Sequence, residues 1–259
     1  PEVSWRPRRL PGDHANLMPL MNTPFEPGHA REFVESLDAG PRADIARAEL
    51  AYFSGRADEA AGLVEAHLES EDFEIRLSAC LIYAYANLPL GRIDLSRRAL
   101  DAARSALARV SAENPQLRAA EGFISQAASV LLHLPVPTDA PGAQEVMPLL
   151  PMGLRAFAFY VQAHAFYLAG DYAHSLGIAE TLLTGMEEVY PIPFIYLHLV
   201  AVMDLMSLRR TEEAREHLLA AWELARPDDL IEGFGEHHGL LGGMLEAVIK
   251  PAWPDDFRR

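Results

Sequence analysis

The feature that most limits what this chain can fold into is a recurring spacing. Around Gly55 the sequence runs Ala48-x6-Gly55-x4-Ala60, around Gly91 it runs Ala84-x6-Gly91-x4-Ser96, and around Gly170 it runs Ala163-x6-Gly170-x4-Ser175. A fourth copy, Val202-x6-Arg209-x4-Ala214, carries arginine in place of the glycine. Small side chains on either side of a turn let two helices approach closely, and glycine adopts the backbone angles a tight turn demands. Gly55 to Gly91 is 36 residues and Gly170 to Arg209 is 39, a regular period for stacked helical hairpins.

The surrounding pattern agrees with helix. Apolar residues recur at three- and four-residue spacing over 28–38, 41–54, 56–69, 73–89, 92–112 and 115–133, and again over 152–169, 171–187, 191–208, 211–226 and 236–250. Pro41 and Pro115 fall in first turns, where proline is tolerated, and Asn114 is placed to cap the helix that follows it. Alanines number 40 against 27 Val, Ile and Thr together, a balance that disfavours sheet. The expected fold class is therefore all-α, with ten or eleven helices in antiparallel hairpins stacked one on another and turns at Gly55, Gly91, Gly170 and Arg209. An irregular bundle with coincident alanines is the competing arrangement.

Prolines mark the divisions. Six of them in residues 1–27, with a basic spot at Arg6, Arg8 and Arg9, predict an extended lead-in. Residues 28–133 form the first half of the array, its pair at 92–133 bridging toward the second. Residues 134–151 hold Pro135, Pro137, Pro141, Pro148 and Pro151 and predict a connector that is not continuous helix. The second half spans 152–250, and 251–259 is a tail. The chain starts at Pro1 rather than methionine, so an excised or processed piece is expected.

Composition removes several classes of function. A formal net charge of −15 repels polyphosphate, so nucleic-acid binding by these residues is not expected. There is no long apolar run and no basic-then-apolar leader, which predicts a cytoplasmic protein without a membrane partner. The single cysteine, Cys80, lies in an apolar helical stretch and reads as a buried thiol rather than a nucleophile. No nucleophile elbow, phosphate loop or zinc-helix motif is present, and His237 and His238 are adjacent rather than spaced to chelate. His164 and His174 fall on the two helices of one hairpin, with no carboxylate spacing to complete a site. The expectation is no catalysis, no cofactor and no metal.

The small–glycine–small skeleton resembles a long-period, degenerate tetratricopeptide repeat, without the strict consensus indole. That resemblance places the concave-face positions on Arg42, Ile45, Glu49 and Tyr52; on Ser78, Leu81, Tyr85 and Leu88; on Phe157, Tyr160, His164 and Tyr167; and on Tyr196, Leu199, Met203 and Met206. Tyr52, Tyr85, Phe157, Tyr160, His164, Tyr167 and Tyr196 become the candidate binding residues: aromatic faces supply contact area, while hydroxyls and an imidazole orient a polar ligand. The alternative is that this stripe is packed permanently, for instance against the 134–151 connector.

Three stretches carry a further resemblance: Met18-Pro-Leu-Met-Asn-Thr-Pro-Phe-Glu-Pro27, the Ala48–Ala60 unit, and the tail Phe234-Gly-Glu-His-His-Gly-Leu-Leu-Gly-Gly-Met-Leu-Glu-Ala-Val-Ile-Lys250-Pro-Ala-Trp-Pro-Asp-Asp-Phe257. Together they are similar to the helical-repeat region of bacterial LuxR-type transcriptional regulators. The resemblance implies sensing of a small-molecule effector or a regulatory protein. It also implies DNA contact only through a C-terminal helix-turn-helix that does not occur within these residues. A free-standing adaptor that docks a peptide or partner protein remains the other reading.

Overall fold

The computed structural model describes residues 15–109, 114–133 and 143–259. Every described residue with regular secondary structure is helical, and no strand occurs among them. In chain order the α-helices are α1 (Ala30–Glu35), α2 (Pro41–Phe53), α3 (Ala57–Val64), α4 (Phe73–Asn87), α5 (Ile93–Ala108) and α6 (Pro115–Leu132), followed by α7 (Ala143–Val146), α8 (Met152–Leu168), α9 (Tyr172–Gly185), α10 (Pro191–Ser207), α11 (Thr211–Ala225), α12 (Glu232–His237) and the short α13 (Lys250–Ala252) and α14 (Pro254–Phe257). Pro41 and Pro115 open α2 and α6, and the Asn114 side chain caps α6 by accepting from Gln116 and Leu117 N–H. No described helix is long and apolar enough to cross a membrane.

The four spaced turns share one hydrogen-bond design. Gly55, Gly91, Gly170 and Arg209 have φ of 77°, 73°, 80° and 60°. In each, the turn residue donates to the carbonyl three back and the next residue to the carbonyl five back, as in Gly55 N→Tyr52 O and Arg56 N→Ala51 O. Two orphan carbonyls at the helix end are thereby satisfied and the chain reverses into the second helix. The paired residues Ala48 and Ala60, Ala84 and Ser96, Ala163 and Ser175, and Val202 and Ala214 are all fully buried. The hairpins α2/α3, α4/α5, α8/α9 and α10/α11 pack internally and against their neighbours. Within α10, every residue from Pro191 to Leu205 except His198 is buried, so this helix is the spine of the second half.

Two expectations change. Residues 1–14 lie outside the described residues, but 15–27 are not an extended lead-in. They coil through tight turns and bury Leu17, Met18, Leu20, Met21 and Phe25 against the array. Apolar content outweighs the prolines, because this segment has a groove to fill. The single helix expected over 236–250 is instead broken: α12 ends at His237, Gly242 and Gly243 take φ of 64° and 81°, and a π-helical turn follows at Leu245–Ile249. Of the connector, 134–142 lie outside the described residues; 143–149 form α7 and a 3-10 turn, so this part is helical but short.

The segment 15–27 repairs a helix end far away in sequence. Pro151 precedes α8 and offers no side-chain cap. Asn22 Oδ1 takes its place, accepting from Leu154 N–H at 2.7 Å, while its Nδ2 donates to Leu17 O at 2.8 Å. Gly153 makes this approach possible, since a Cβ there would lie 2.0 Å from Met21 O and 2.8 Å from Asn22 Cα.

Three substitutions test the turns and the docked segment. In thermal melts, Gly170→Val should cost about 1–3 kcal/mol, because a branched residue is strained at that φ. Arg209→Gly should gain about 0.5–1 kcal/mol by removing a left-handed non-glycine residue, net of glycine's entropy. Gly153→Ala should destabilise by about 1–3 kcal/mol through backbone collision. It should also expose residues 15–27 to limited proteolysis; cleavage no faster than in the parent would refute this docking.

Candidate functional site

The first helices of the hairpins, α2, α4, α8 and α10, turn a common face inward, and two pieces of the same chain lie on it. The first is the 15–27 segment. Its backbone is gripped by side chains at the expected concave positions: Glu49 accepts from Leu20 N–H at 2.7 Å and from Met21 N–H at 3.0 Å, and Ser78 Oγ accepts from Met18 N–H at 3.0 Å. Arg42 Nε donates to Ala15 O at 2.9 Å. Glu49 is fully buried, and burial pushes its carboxyl up to about 8 against the opposing pull of the two N–H donors and Arg42.

The second piece is α12, which packs on α10 and α2. Gly233 lets it come close, for a Cβ there would sit 3.2 Å from Leu199 and 3.3 Å from the Tyr196 ring. His237, from α12, is buried and completes a chain of hydrogen bonds. Its Nδ1 lies 2.7 Å from Gly233 O and its Nε2 lies 2.6 Å from Tyr160 Oη. A carbonyl only accepts, so Nδ1 carries the proton, Nε2 accepts from the Tyr160 hydroxyl, and that hydroxyl accepts in turn from His164 Nδ1 at 3.2 Å. Each member is paired and each tautomer is fixed.

Glu236, beside His237, is exposed as a residue, yet its carboxyl end meets two tyrosine hydroxyls. Tyr52 Oη donates to Oε1 at 2.5 Å and Tyr196 Oη to the same oxygen at 3.2 Å. Loss of water around the carboxyl raises its pKa, and nearby Glu232 adds to the rise while the two hydroxyls oppose it. Between the inner face and the N-terminal segment remains a recess of about 50 Å³. Its walls are the rings of Tyr52, Tyr85, Phe123, Phe157 and Tyr196 with the Glu236 carboxyl, and Met18 and Met21 close one side.

The structure brings six of the seven sequence candidates to this neighbourhood. Ring centroids are 5.2 Å apart for Phe157–Tyr160 and for Phe157–Tyr196, 5.1 Å for Tyr160–Tyr196 and 5.8 Å for Tyr160–His164. Tyr52, Tyr85, Phe157 and Tyr196 line the recess itself, whereas Tyr160 and His164 form the buried layer behind it. Tyr167 sits apart, half-buried, with its ring 6.1 Å from His164 and 5.4 Å from Tyr172. The stripe is covered by the 15–27 segment and α12 rather than left open. His164 does not titrate near the ordinary histidine value: burial, then the neighbouring His237 and His133, lower it to about 4. Sequence reasoning missed Glu236 and passed over His237 as a failed metal ligand; the flanking Gly233 and Gly235 were the available sign of a tightly packed helix.

Cys80 is a buried free thiol, raised by burial to about 11 and so un-ionised at neutral pH. Comparison with protein-family models, with curated proteins and with solved structures finds no match to this chain.

A further buried acid lies on α10. Among the described residues, neither Asp204 carboxyl oxygen nor Ser175 Oγ makes a well-aligned hydrogen bond, although the Ser175 hydroxyl lies close enough to favour the ionised form. Burial pushes Asp204 up to about 7, with the Ser175 hydroxyl opposing. The folded pKa is above the unfolded one, so this group's contribution to stability is intact below about pH 4 and is lost as pH rises toward 7. Asp204→Asn should therefore match the parent near pH 4 and exceed its stability near pH 8 by up to about 3 kcal/mol in denaturant unfolding. A constant difference across that range would show that Asp204 is ionised in the folded state.

Proposed function

We propose that this chain is an effector-sensing helical-repeat region, a tetratricopeptide-like solenoid of the kind found in LuxR-type transcriptional regulators, and that it acts without catalysis. In this reading the recess walled by Tyr52, Tyr85, Phe157 and Tyr196 receives a small molecule, and a helix-turn-helix outside these residues contacts DNA. The observation that carries the proposal is that the shared inner face of α2, α4, α8 and α10 is covered by the chain's own 15–27 segment and α12, with the recess of about 50 Å³ left between them among the described residues. That volume suits a ligand of a few heavy atoms, since a single water needs about 10–15 Å³ of such space. A peptide-docking adaptor needs the face open, so occupancy by the chain itself favours the small-effector reading.

The proposal is tested by screening small metabolites for thermal stabilisation of the 259-residue protein and repeating the screen on Phe157→Trp, whose larger ring fills the recess. At least one stabilising compound should lose its effect in the variant. Tyr160→Phe, which leaves His237 Nε2 without a donor, should cost about 1–3 kcal/mol of stability without abolishing that binding. If every stabilising compound acts equally on Phe157→Trp, the recess is not the sensing site.

A further inference from the structure

The recess has a chemistry that selects among small molecules. Both tyrosine donors to Glu236 converge on Oε1, and Oε2 has no donor among the described residues. The groups acting on the Glu236 carboxyl are Tyr52, Tyr196 and Glu232, with no lysine or arginine among them, and it forms no ion pair with a described residue. Across the same recess, the Tyr85 hydroxyl is buried and has no hydrogen-bond partner among the described residues. The charge of Glu236 reaches that hydroxyl, adding to the burial that raises its pKa. The Glu236 side chain and the Tyr85 side chain thus line one small space whose other walls are the Tyr52, Phe123, Phe157 and Tyr196 rings together with Met18, Met21, Leu81, Ile82 and Leu154. The buried Tyr85 hydroxyl carries a cost of about 1–3 kcal/mol until it is satisfied.

Resting on the sensing reading above, we infer that the recess binds a small primary alkylammonium. Its nitrogen donates to Glu236 Oε2 and to Tyr85 Oη, and its alkyl chain lies against the Phe157 and Tyr196 rings. An ammonium supplies three donors and a positive charge, and electron-rich ring faces attract that charge where water is thinned. An anion is repelled by Glu236 and by the net charge of −15. A neutral alcohol brings one donor and no charge. A quaternary ammonium is attracted to the rings but donates nothing, so Oε2 and Tyr85 Oη stay unsatisfied.

The experiment uses the full 259-residue protein and four matched probes: propylammonium, 1-propanol, propionate and tetramethylammonium, each followed by calorimetric titration and thermal shift. Propylammonium should bind saturably and raise the melting temperature, tetramethylammonium should bind more weakly, and propanol and propionate should not bind. Glu236→Gln keeps an acceptor for both tyrosines and should melt close to the parent while losing about tenfold or more in propylammonium affinity. Tyr85→Phe should lose a smaller factor. Absence of propylammonium binding, equal binding of propanol, or an unchanged affinity in Glu236→Gln would overturn the inference. If propanol or propionate binds instead and Phe157→Trp blocks it, the recess still receives small molecules, and only the ammonium assignment falls.

Discussion

A buried carboxyl group holding a backbone is the constraint on which this molecule depends. Glu49 lies on α2 without an ion-pair partner at contact distance, and burying such a group is costly unless hydrogen bonds replace the lost water. The N–H groups of Leu20 and Met21 provide that replacement, one to each oxygen. Once these two bonds are made, the rest of the N-terminal segment has little freedom. Met18 and Met21 close the recess, and Asn22 arrives at the uncapped end of α8. Glu49, the recess and the α8 cap are consequences of one docking event.

The other side of the inner face is held by a different device. The chain His164–Tyr160–His237–Gly233 is a fully paired polar line through otherwise apolar packing. Such a line specifies position sharply, since shifting any member leaves a buried group unsatisfied. Burial lowers both His164 and His237, consistent with neutral rings whose tautomers are set by their neighbours. The aromatic stripe is therefore framework in its inner half and recess wall in its outer half.

The hairpins were legible in the sequence because their determinants are local. Small residues and turn glycines act within a dozen positions, and even Arg209, lacking the glycine, adopts the same turn as the other three. The identities of the inward residues were also legible, since the tetratricopeptide resemblance placed Tyr52, Phe157, Tyr160 and Tyr196 on a common face. Their burial was not, because it depends on segments that carry no periodic signal. Residues 15–27 read as proline-rich punctuation although Leu17, Met18, Leu20, Met21 and Phe25 are a typical core set. The tail read as one helix because its apolar spacing is regular, while the adjacent Gly242 and Gly243 admit the left-handed angles that end it. Glu236 was invisible for a related reason: a carboxylate acquires meaning only from the hydroxyls that tertiary structure brings to it.

The bonds between distant parts of the chain alter how the whole can come apart. Repeats that touch only their neighbours unfold piecemeal, unit by unit, with terminal units fraying first. Here Asp228 accepts from Gly28 and Ala30 N–H at 2.7 and 3.0 Å, capping α1 from the far end of the array. Tyr52 reaches Glu236, and Asn22 reaches Leu154. Residues 22–52 are thereby fastened to residues 154–236 as a clasp closes a bracelet. Closing so long a loop is entropically costly and comes late in folding. These bonds join described residues near the start of the chain to others toward its end, so the helical hairpins between them should open together rather than one at a time.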